Sequence, residues 1–229
     1  MRARARSGSG RRTVTTTTGS PRSSGPTTRT TSSTPTRTSS RPGRDHFGDL
    51  TARRPPMGEL IDADGVRLWA ERRGQGPDVL LVSGLGDPAE AWQSQLDGLA
   101  DRYRITAFDN RGVGRTPLPE GPLSVPGMAD DAAALLRALD VPAAHVTGFS
   151  GGSFIAQEMA LRHPGLVRSL VLMSTMARPD PYFRAVARFW HWMAERAPSE
   201  RAMLEAFFLW VYTPRAHADG MVDRFVEET

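Results

Sequence analysis

Apolar and polar residues follow one another along residues 57–180 in a pattern that predicts strands and helices in regular succession. The run DVLLVSG at 78–84 is continuously apolar up to its final Ser-Gly, which is typical of a strand buried on both faces of a sheet. The other predicted elements are strands at 58–63, 66–72, 103–110, 144–150 and 167–174 and helices at 89–100, 126–139 and 152–163. This alternation predicts an α/β fold with a mostly parallel sheet and helices on both of its faces.

After residue 180 the pattern changes. Residues 181–229 contain three stretches with helical spacing that are rich in Phe, Trp and Met, and no strand pattern separates them. One interpretation is an ordinary helical core. The other, which the position directly after a sheet strand favours, is an incomplete helical lid whose apolar face covers a pocket.

The segment before Met57 has a different composition. Ser and Thr make up 21 of residues 1–44, and residues 1–56 carry 12 Arg against two Asp, a net charge of +10. Such a segment buries too little apolar surface to offset its ordering entropy, so we expect a disordered tail. The alternatives are upstream sequence read from a start codon placed before Met57, or a basic arm that touches nucleic acid or a membrane.

Charge and composition narrow the class of protein. Residues 57–229 carry 17 Arg and 23 acidic groups, so the part predicted to fold is mildly acidic and is not expected to bind nucleic acid. The chain has no Cys, no Lys and no apolar run of membrane-spanning length. The pair Arg11-Arg12 lacks the apolar stretch of an export signal, so we expect a cytoplasmic protein.

The stretch VTGFSGGSF, residues 146–154, contains the candidate nucleophile Ser150. A G-x-S-x-G pattern between a strand and a helix is typical of a nucleophile elbow, in which a strained serine projects its Oγ above the sheet. The turn leaves no room for side chains two residues away, and Gly148 and Gly152 meet that demand. The backbone N–H of Gly151 is then a candidate oxyanion donor. The alternative is an ordinary glycine-rich turn with a passive serine.

A second oxyanion donor is expected in the loop that follows strand 78–84. The residues Ser83-Gly84-Leu85-Gly86 allow close approach of the backbone, and the Leu85 N–H is the candidate. One strand–helix–strand unit separates this loop from Ser150, which is the connection that places two parallel strands side by side.

The segments SGLGD…W, AFDNRGVGRT and HVTGFSGGSFIAQEMALRHPGLVRSLVLMST together resemble the α/β-hydrolase superfamily, and in particular the small lidded esterases, enol-lactonases, proline iminopeptidases and cofactor-free haloperoxidases. The resemblance runs from about Met57 to Thr229. It implies a serine hydrolase that needs no metal and no organic cofactor. Two positions depart from the family pattern: Ser83 stands where His is common, and Ser153 where a further Gly is common.

The base that such a serine needs is not evident among the five histidines. His46 lies in the tail, His145 begins the strand that carries Ser150, and His163 follows the next helix, so the last two lie roughly 16 and 20 Å from the elbow. His191 and His217 belong to the helical stretches and follow no late strand, so we do not expect either to be the base.

The catalytic acid is equally lacking. Asp180 is expected to serve a turn, and Asp109 and Asn110 are expected to organise the loop at Arg111-Gly112. The resemblance implies later strands that carry Asp and then His. We therefore expect an incomplete chain.

These residues support three functional hypotheses. The first is a hydrolase that cleaves a small carboxylic ester or lactone, with an apolar acyl or alcohol group, through an acyl-enzyme on Ser150. The second is an inactive fragment with an exposed sheet edge. The third is a peptidase, perhydrolase or carbon–carbon bond hydrolase that uses the same serine. The oligomeric state does not follow from the sequence.

Overall fold

The computed structural model describes residues 58–228. The predicted disordered tail at 1–56 lies outside the described residues. Six strands form one mixed sheet in the order β1-β2-β4-β3-β5-β6. Their bounds are β1 Gly58–Ala63, β2 Val66–Arg73, β3 Asp78–Val82, β4 Arg104–Phe108, β5 Ala144–Phe149 and β6 Val167–Met173. β1 and β2 pair antiparallel to their neighbours, and β4, β3, β5 and β6 are parallel. The predicted α/β fold with a mostly parallel sheet is therefore confirmed.

Three helices accompany the sheet: α1 Gln93–Leu99, α2 Val125–Ala138 and α3 Gly151–Arg162. The helix predicted over 89–100 is divided, because its first part, Ala89–Trp92, is a 3₁₀ turn. The N–H of Ala89 donates to the Asp109 carboxylate at 2.7 Å, which ties this turn to the end of β4.

Two apolar clusters show how the sheet is covered on both faces. Successive residues of a strand point to opposite faces, so Leu80 and Val82 of β3 join a cluster with α2 and α3, and Leu81 joins a second cluster with α1. Phe108 and Ala107 divide in the same way at the end of β4. The inner strands β3 and β4 are largely apolar because both of their faces are covered, whereas the edge strands β1 and β6 expose several residues to solvent.

Residues 181–228, called the helical segment below, form α4 Pro181–Arg196, α5 Glu200–Val211, α6 Pro214–Ala218 and α7 Met221–Glu228. Three helices were predicted for this segment, and the structure has four, so that prediction was wrong. Pro214 lacks the N–H that would continue α5, and Gly220 at φ +66° ends α6. Each of Asp180, Ser199 and Thr213 accepts a hydrogen bond at a helix start.

Aromatic contacts join the helical segment to the sheet domain. The ring of Phe183 in α4 meets the ring of Phe154 in α3 edge to face, with ring centroids 6.1 Å apart, and this contact joins the two parts. Within the helical segment, Trp190 of α4 meets Phe207 of α5 at 5.2 Å. The segment is thereby attached to the helix that begins at Ser150. Among the described residues, no helix combines the length and apolar character that a membrane crossing requires.

Candidate active site

Ser150 stands between β5 and α3 with φ +50° and ψ −120°, a conformation that L-residues rarely adopt. Its N–H donates to the carbonyl of Met173 at the end of β6, at 3.0 Å. The serine is the N-cap residue of α3, yet its side chain makes no cap hydrogen bond, so the hydroxyl is not committed to the helix. A strained residue held by its surroundings is the backbone signature that the sequence predicted for an elbow.

Close contacts explain the glycines on either side of Ser150. A methyl group at Gly148 would lie 2.4 Å from the carbonyl oxygen of Gly152. A methyl group at Gly152 would lie 2.2 Å from the carbonyl oxygen of Val82 and 2.4 Å from that of Ser83. Both distances are shorter than real carbon–oxygen contacts, so these positions require glycine.

Ser153 supports the same turn. Its side chain is fully buried, and its Oγ donates to the carbonyl oxygen of Ser150 at 2.6 Å, beside the backbone N–H of Ser153 at 2.9 Å. The serine therefore adds a hydrogen bond to the strained residue that a glycine at this position could not supply.

The loop after β3 approaches the elbow closely. A methyl group at Gly84 would lie 3.5 Å from Ser150 Cβ, and one at Gly151 would lie 3.2 Å from the backbone nitrogen of Leu85. The backbone nitrogens of Leu85 and Gly151 are therefore within about 6 Å of each other, and one oxygen can accept from two N–H groups at about 2.9 Å each when the nitrogens are no more than about 6 Å apart. Gly86 has φ +76°, which permits the turn.

Asp109 fixes the base of this loop. It is fully buried and accepts hydrogen bonds from the N–H of Ala89 at 2.7 Å and from Arg115 Nε at 2.9 Å. Asn110 donates to the carbonyl of Ser83 at 3.4 Å. Within the loop at Arg111-Gly112 that they were expected to organise, Asp109 accepts from the Arg115 N–H at 2.9 Å and the Asn110 carbonyl accepts from the Val113 N–H at 2.9 Å.

Asp87 is a feature that the sequence reading missed. The methyl position at Gly84 lies 2.6 Å from Asp87 Oδ2 and 3.5 Å from Ser150 Cβ, so the carboxylate and the nucleophile both border this one glycine. Burial raises the pKa of the Asp87 carboxyl, and a hydrogen bond from the Gly84 backbone acts in the opposite direction. The sequence feature that could have indicated a role for Asp87 is its position directly after the Gly-Leu-Gly turn.

None of the four described histidines hydrogen-bonds to Ser150. The contacts recorded for three of them are His145 with Ser169 at 2.8 Å, His163 with Asp130 at 2.7 Å, and His191 with Glu195 at 3.5 Å. His217 lies in α6, and His46 lies outside the described residues. The first three contacts are consistent with structural roles.

Asp180 likewise has a structural role, since its carboxylate accepts the Phe183 N–H at 2.7 Å and caps α4. Within residues 58–228, no three His or acidic side chains are grouped as a metal ion would require. The described site combines Ser150 and backbone amides with the nearby carboxylate of Asp87, and the serine and amides suit nucleophilic attack on a carbonyl group.

The chain belongs to the alpha/beta hydrolase fold family, whose model matches residues 77–207. It is 36% identical over 163 residues to a protein of Azorhizobium caulinodans named carbamate hydrolase RutD, covering 70% of this chain and 59% of that one. It is 41% identical over 117 residues to a Mycobacterium tuberculosis protein named non-heme bromoperoxidase BpoC, covering 50% and 44%.

Solved structures agree with this assignment. A meta-cleavage product hydrolase, CumD, in its A129V form, has a TM-score of 0.64 and 27% identity, covering 74% of this chain and 63% of that one. A hydrolase from Pseudomonas aeruginosa has a TM-score of 0.62 and 27% identity, covering 76% and 67%. The chain spans 59% and 44% of the lengths of the two curated relatives described above.

Proposed function

We propose that this protein is a serine hydrolase that cleaves a carboxylic ester or lactone through an acyl-enzyme on Ser150. The single observation that carries the proposal is the strained Ser150 at the junction of β5 and α3, beside the loop that contains Leu85. Ser150 Oγ attacks the carbonyl carbon, and the carbonyl oxygen becomes an oxyanion that accepts from the N–H groups of Gly151 and Leu85. Each such donor contributes about 10²–10³ in rate.

The substrate group next to the serine is proposed to be apolar. Leu85 and Phe149 flank the site with exposed side chains. The helical segment reaches the elbow helix through Phe183, and we propose that it acts as the lid of the site. The relative named carbamate hydrolase favours including a carbamate among the carbonyl substrates tested. A peptidase or perhydrolase that uses the same serine is the alternative within enzymes.

The proton of Ser150 needs a base, and none of the described histidines is bonded to it. The alternative to an active enzyme is therefore a protein in which the elbow forms but does not turn over substrate. The active enzyme and the inactive protein have the same geometry at Ser150, so only the reactivity of Ser150 distinguishes them.

A fluorophosphonate that carries a reporter group tests the proposal directly, because it is attacked by activated serines. We expect stoichiometric labelling of the full chain, mapped to Ser150 by mass spectrometry and lost in Ser150→Ala. Ser174→Ala is the matched control, since Ser174 also has φ +50° but lies after β6 rather than at the start of α3. It should label like the wild type. Labelling that is absent, or that survives in Ser150→Ala, would refute an activated Ser150.

Substrate class is tested separately by comparing turnover of short p-nitrophenyl esters, a p-nitrophenyl carbamate and an aminoacyl anilide. The ester proposal predicts the highest kcat/KM for an ester. A higher kcat/KM for the anilide would contradict the ester proposal and favour a peptidase.

A further inference from the structure

Asp87 places a carboxylate beside the nucleophile. Its Oδ2 and Ser150 Cβ lie 2.6 and 3.5 Å from the same point, the methyl position at Gly84, on the loop that also supplies the Leu85 N–H. Ester cleavage creates a negative oxyanion at this same place. A second negative charge so close would oppose the reaction unless something offsets it.

Asp87 differs from its acidic neighbours in having no ion pair within residues 58–228. Glu90 and Asp109, on either side of the same loop, both bind the guanidinium of Arg115 at 2.6–3.1 Å. The carboxylate of Asp87 has only the backbone of Gly84 as a hydrogen-bonding partner, and burial raises the pKa of this carboxyl group. An incompletely compensated carboxylate at an active site is a ready receptor for a positive group.

One aromatic side chain, Tyr212, interacts electrostatically with this carboxylate. Tyr212, at the end of α5, is close enough to Asp87 that the carboxylate charge adds to burial in raising the tyrosine pKa. The Tyr212 ring meets Phe208 at 5.1 Å and stacks with Phe225 at 5.9 Å. Aromatic faces attract cations, and a carboxylate combined with such rings is the usual composition of an ammonium-binding site.

We propose that Asp87 is a specificity-determining residue whose carboxylate binds an ammonium group on the substrate. The substrate class is then a carbonyl compound that carries a protonated amine close to the bond that is cleaved. This inference rests on the proposed function, since it assumes that the substrate carbonyl sits at Ser150.

The distances agree with a short spacer. The two distances from the methyl position at Gly84, 2.6 and 3.5 Å, together set an upper limit on the separation of Asp87 Oδ2 from Ser150 Cβ. An N–H···O bond between an ammonium and a carboxylate spans about 2.8 Å, so an ammonium bound to Asp87 lies in the neighbourhood of the nucleophile, and an amine one or two carbon atoms from the carbonyl group is the spacer that the experiment uses. Once bound, the ammonium would neutralise Asp87 and remove its opposition to the oxyanion, so recognition and catalysis would reinforce each other.

A purely structural role for Asp87 is the competing explanation. Its backbone N–H donates to the Gly84 carbonyl at 3.4 Å, and its carboxylate accepts from the Gly84 backbone, so the residue also holds the turn. A structural role predicts that removing the charge affects all ligands equally. Recognition predicts an effect on cationic ligands alone.

Equilibrium binding to the full chain separates the two explanations without using the serine chemistry. The probes are N-benzyl-β-alaninamide, which carries an ammonium group, and N-benzylbutanamide, in which a methyl group replaces it. Affinities are measured by calorimetry for the wild type, Asp87→Asn and Asp101→Asn. Asp101 is an exposed acid before β4, so it controls for the loss of one negative charge.

We expect the wild type and Asp101→Asn to prefer the cationic amide at least tenfold, and Asp87→Asn to lose that preference while binding the neutral amide within threefold of wild type. Equal wild-type affinities for the two amides would overturn the proposal, even if the Asn variant did not fold. So would a preference that Asp87→Asn retains, or an equal loss for both amides. Failure of Ser150 to react with the phosphonate would instead refute the proposed hydrolase, and this binding assay is independent of that result.

Discussion

Replacing Gly152 by Ala tests whether the elbow depends on backbone contact between α3 and β3. The added methyl group would lie 2.2 Å from the Val82 carbonyl oxygen and 2.4 Å from that of Ser83. Both are backbone atoms at the end of a central strand, so they cannot move aside as a flexible side chain would. The start of α3 must shift by about 1 Å, and overpacking of this kind costs about 3 kcal/mol, the upper part of the usual range. The helix preference of Ala returns less than about 1 kcal/mol of this.

Urea unfolding followed by circular dichroism measures the cost as a lower midpoint with an unchanged slope. Gly98→Ala is the matched control, because Gly98 lies in α1 and an added methyl group there meets nothing within 4 Å. We expect the control to gain about 0.5–1 kcal/mol. The reasoning is refuted if Gly152→Ala is as stable as Gly98→Ala. Because a displacement of about 1 Å can reduce rates about 100-fold, phosphonate labelling of Ser150 should also slow by that order.

Three further substitutions follow from the hydrogen bonds described above. Asp109→Ala should lower the free energy of unfolding by about 3–4 kcal/mol in urea titration, because it removes a fully buried acceptor of several hydrogen bonds. Ser153→Ala should cost about 0.5–1.5 kcal/mol and slow phosphonate labelling, since the 2.6 Å bond to the Ser150 carbonyl is lost. Asp130→Asn should cost no more than about 1 kcal/mol at pH 7, because its pair with Arg162 is exposed. The pH dependence of this last variant has a defined sign. The hydrogen bond from Arg162 lowers the pKa of Asp130 from 3.8, so the stabilisation is present above that value and is lost as the pH falls through the lower folded-state pKa. Wild type and Asp130→Asn should then converge in acid. A difference that persists there would contradict the assignment, as would an Asp109→Ala loss below about 1 kcal/mol or an unchanged labelling rate in Ser153→Ala.

The sheet and the elbow could be predicted from the sequence because each depends on local pattern. Continuous apolar runs mark strands that are buried on both faces, and the glycines around Ser150 mark a turn with no room for side chains. All six strands were placed within about two residues at each end. Both signals are carried by residues adjacent in the chain.

Most of the features that were missed depend on contacts that exist only in the folded chain. The sequence shows Asp87 but does not show that Arg115 binds Glu90 and Asp109 and leaves Asp87 without an ion pair within residues 58–228. The buried bond from Ser153 to the Ser150 carbonyl requires the turn to be already formed. The fourth helix of the helical segment was also missed, although Pro214, which begins α6, is visible in the sequence.

The register between β3 and β5 explains why the nucleophile and the loop come together. Val82 pairs with Gly148 in adjacent parallel strands, and Gly84 and Ser150 each lie two residues further along. Hydrogen bonds of the sheet therefore set their proximity, and the side chains near Ser150 only adjust it. Substitutions on the solvent face of α3 should leave the approach of Leu85 to Gly151 unchanged, whereas any change that shifts the β3–β5 register by one residue would turn the strand residues to opposite faces and separate the serine from its oxyanion loop.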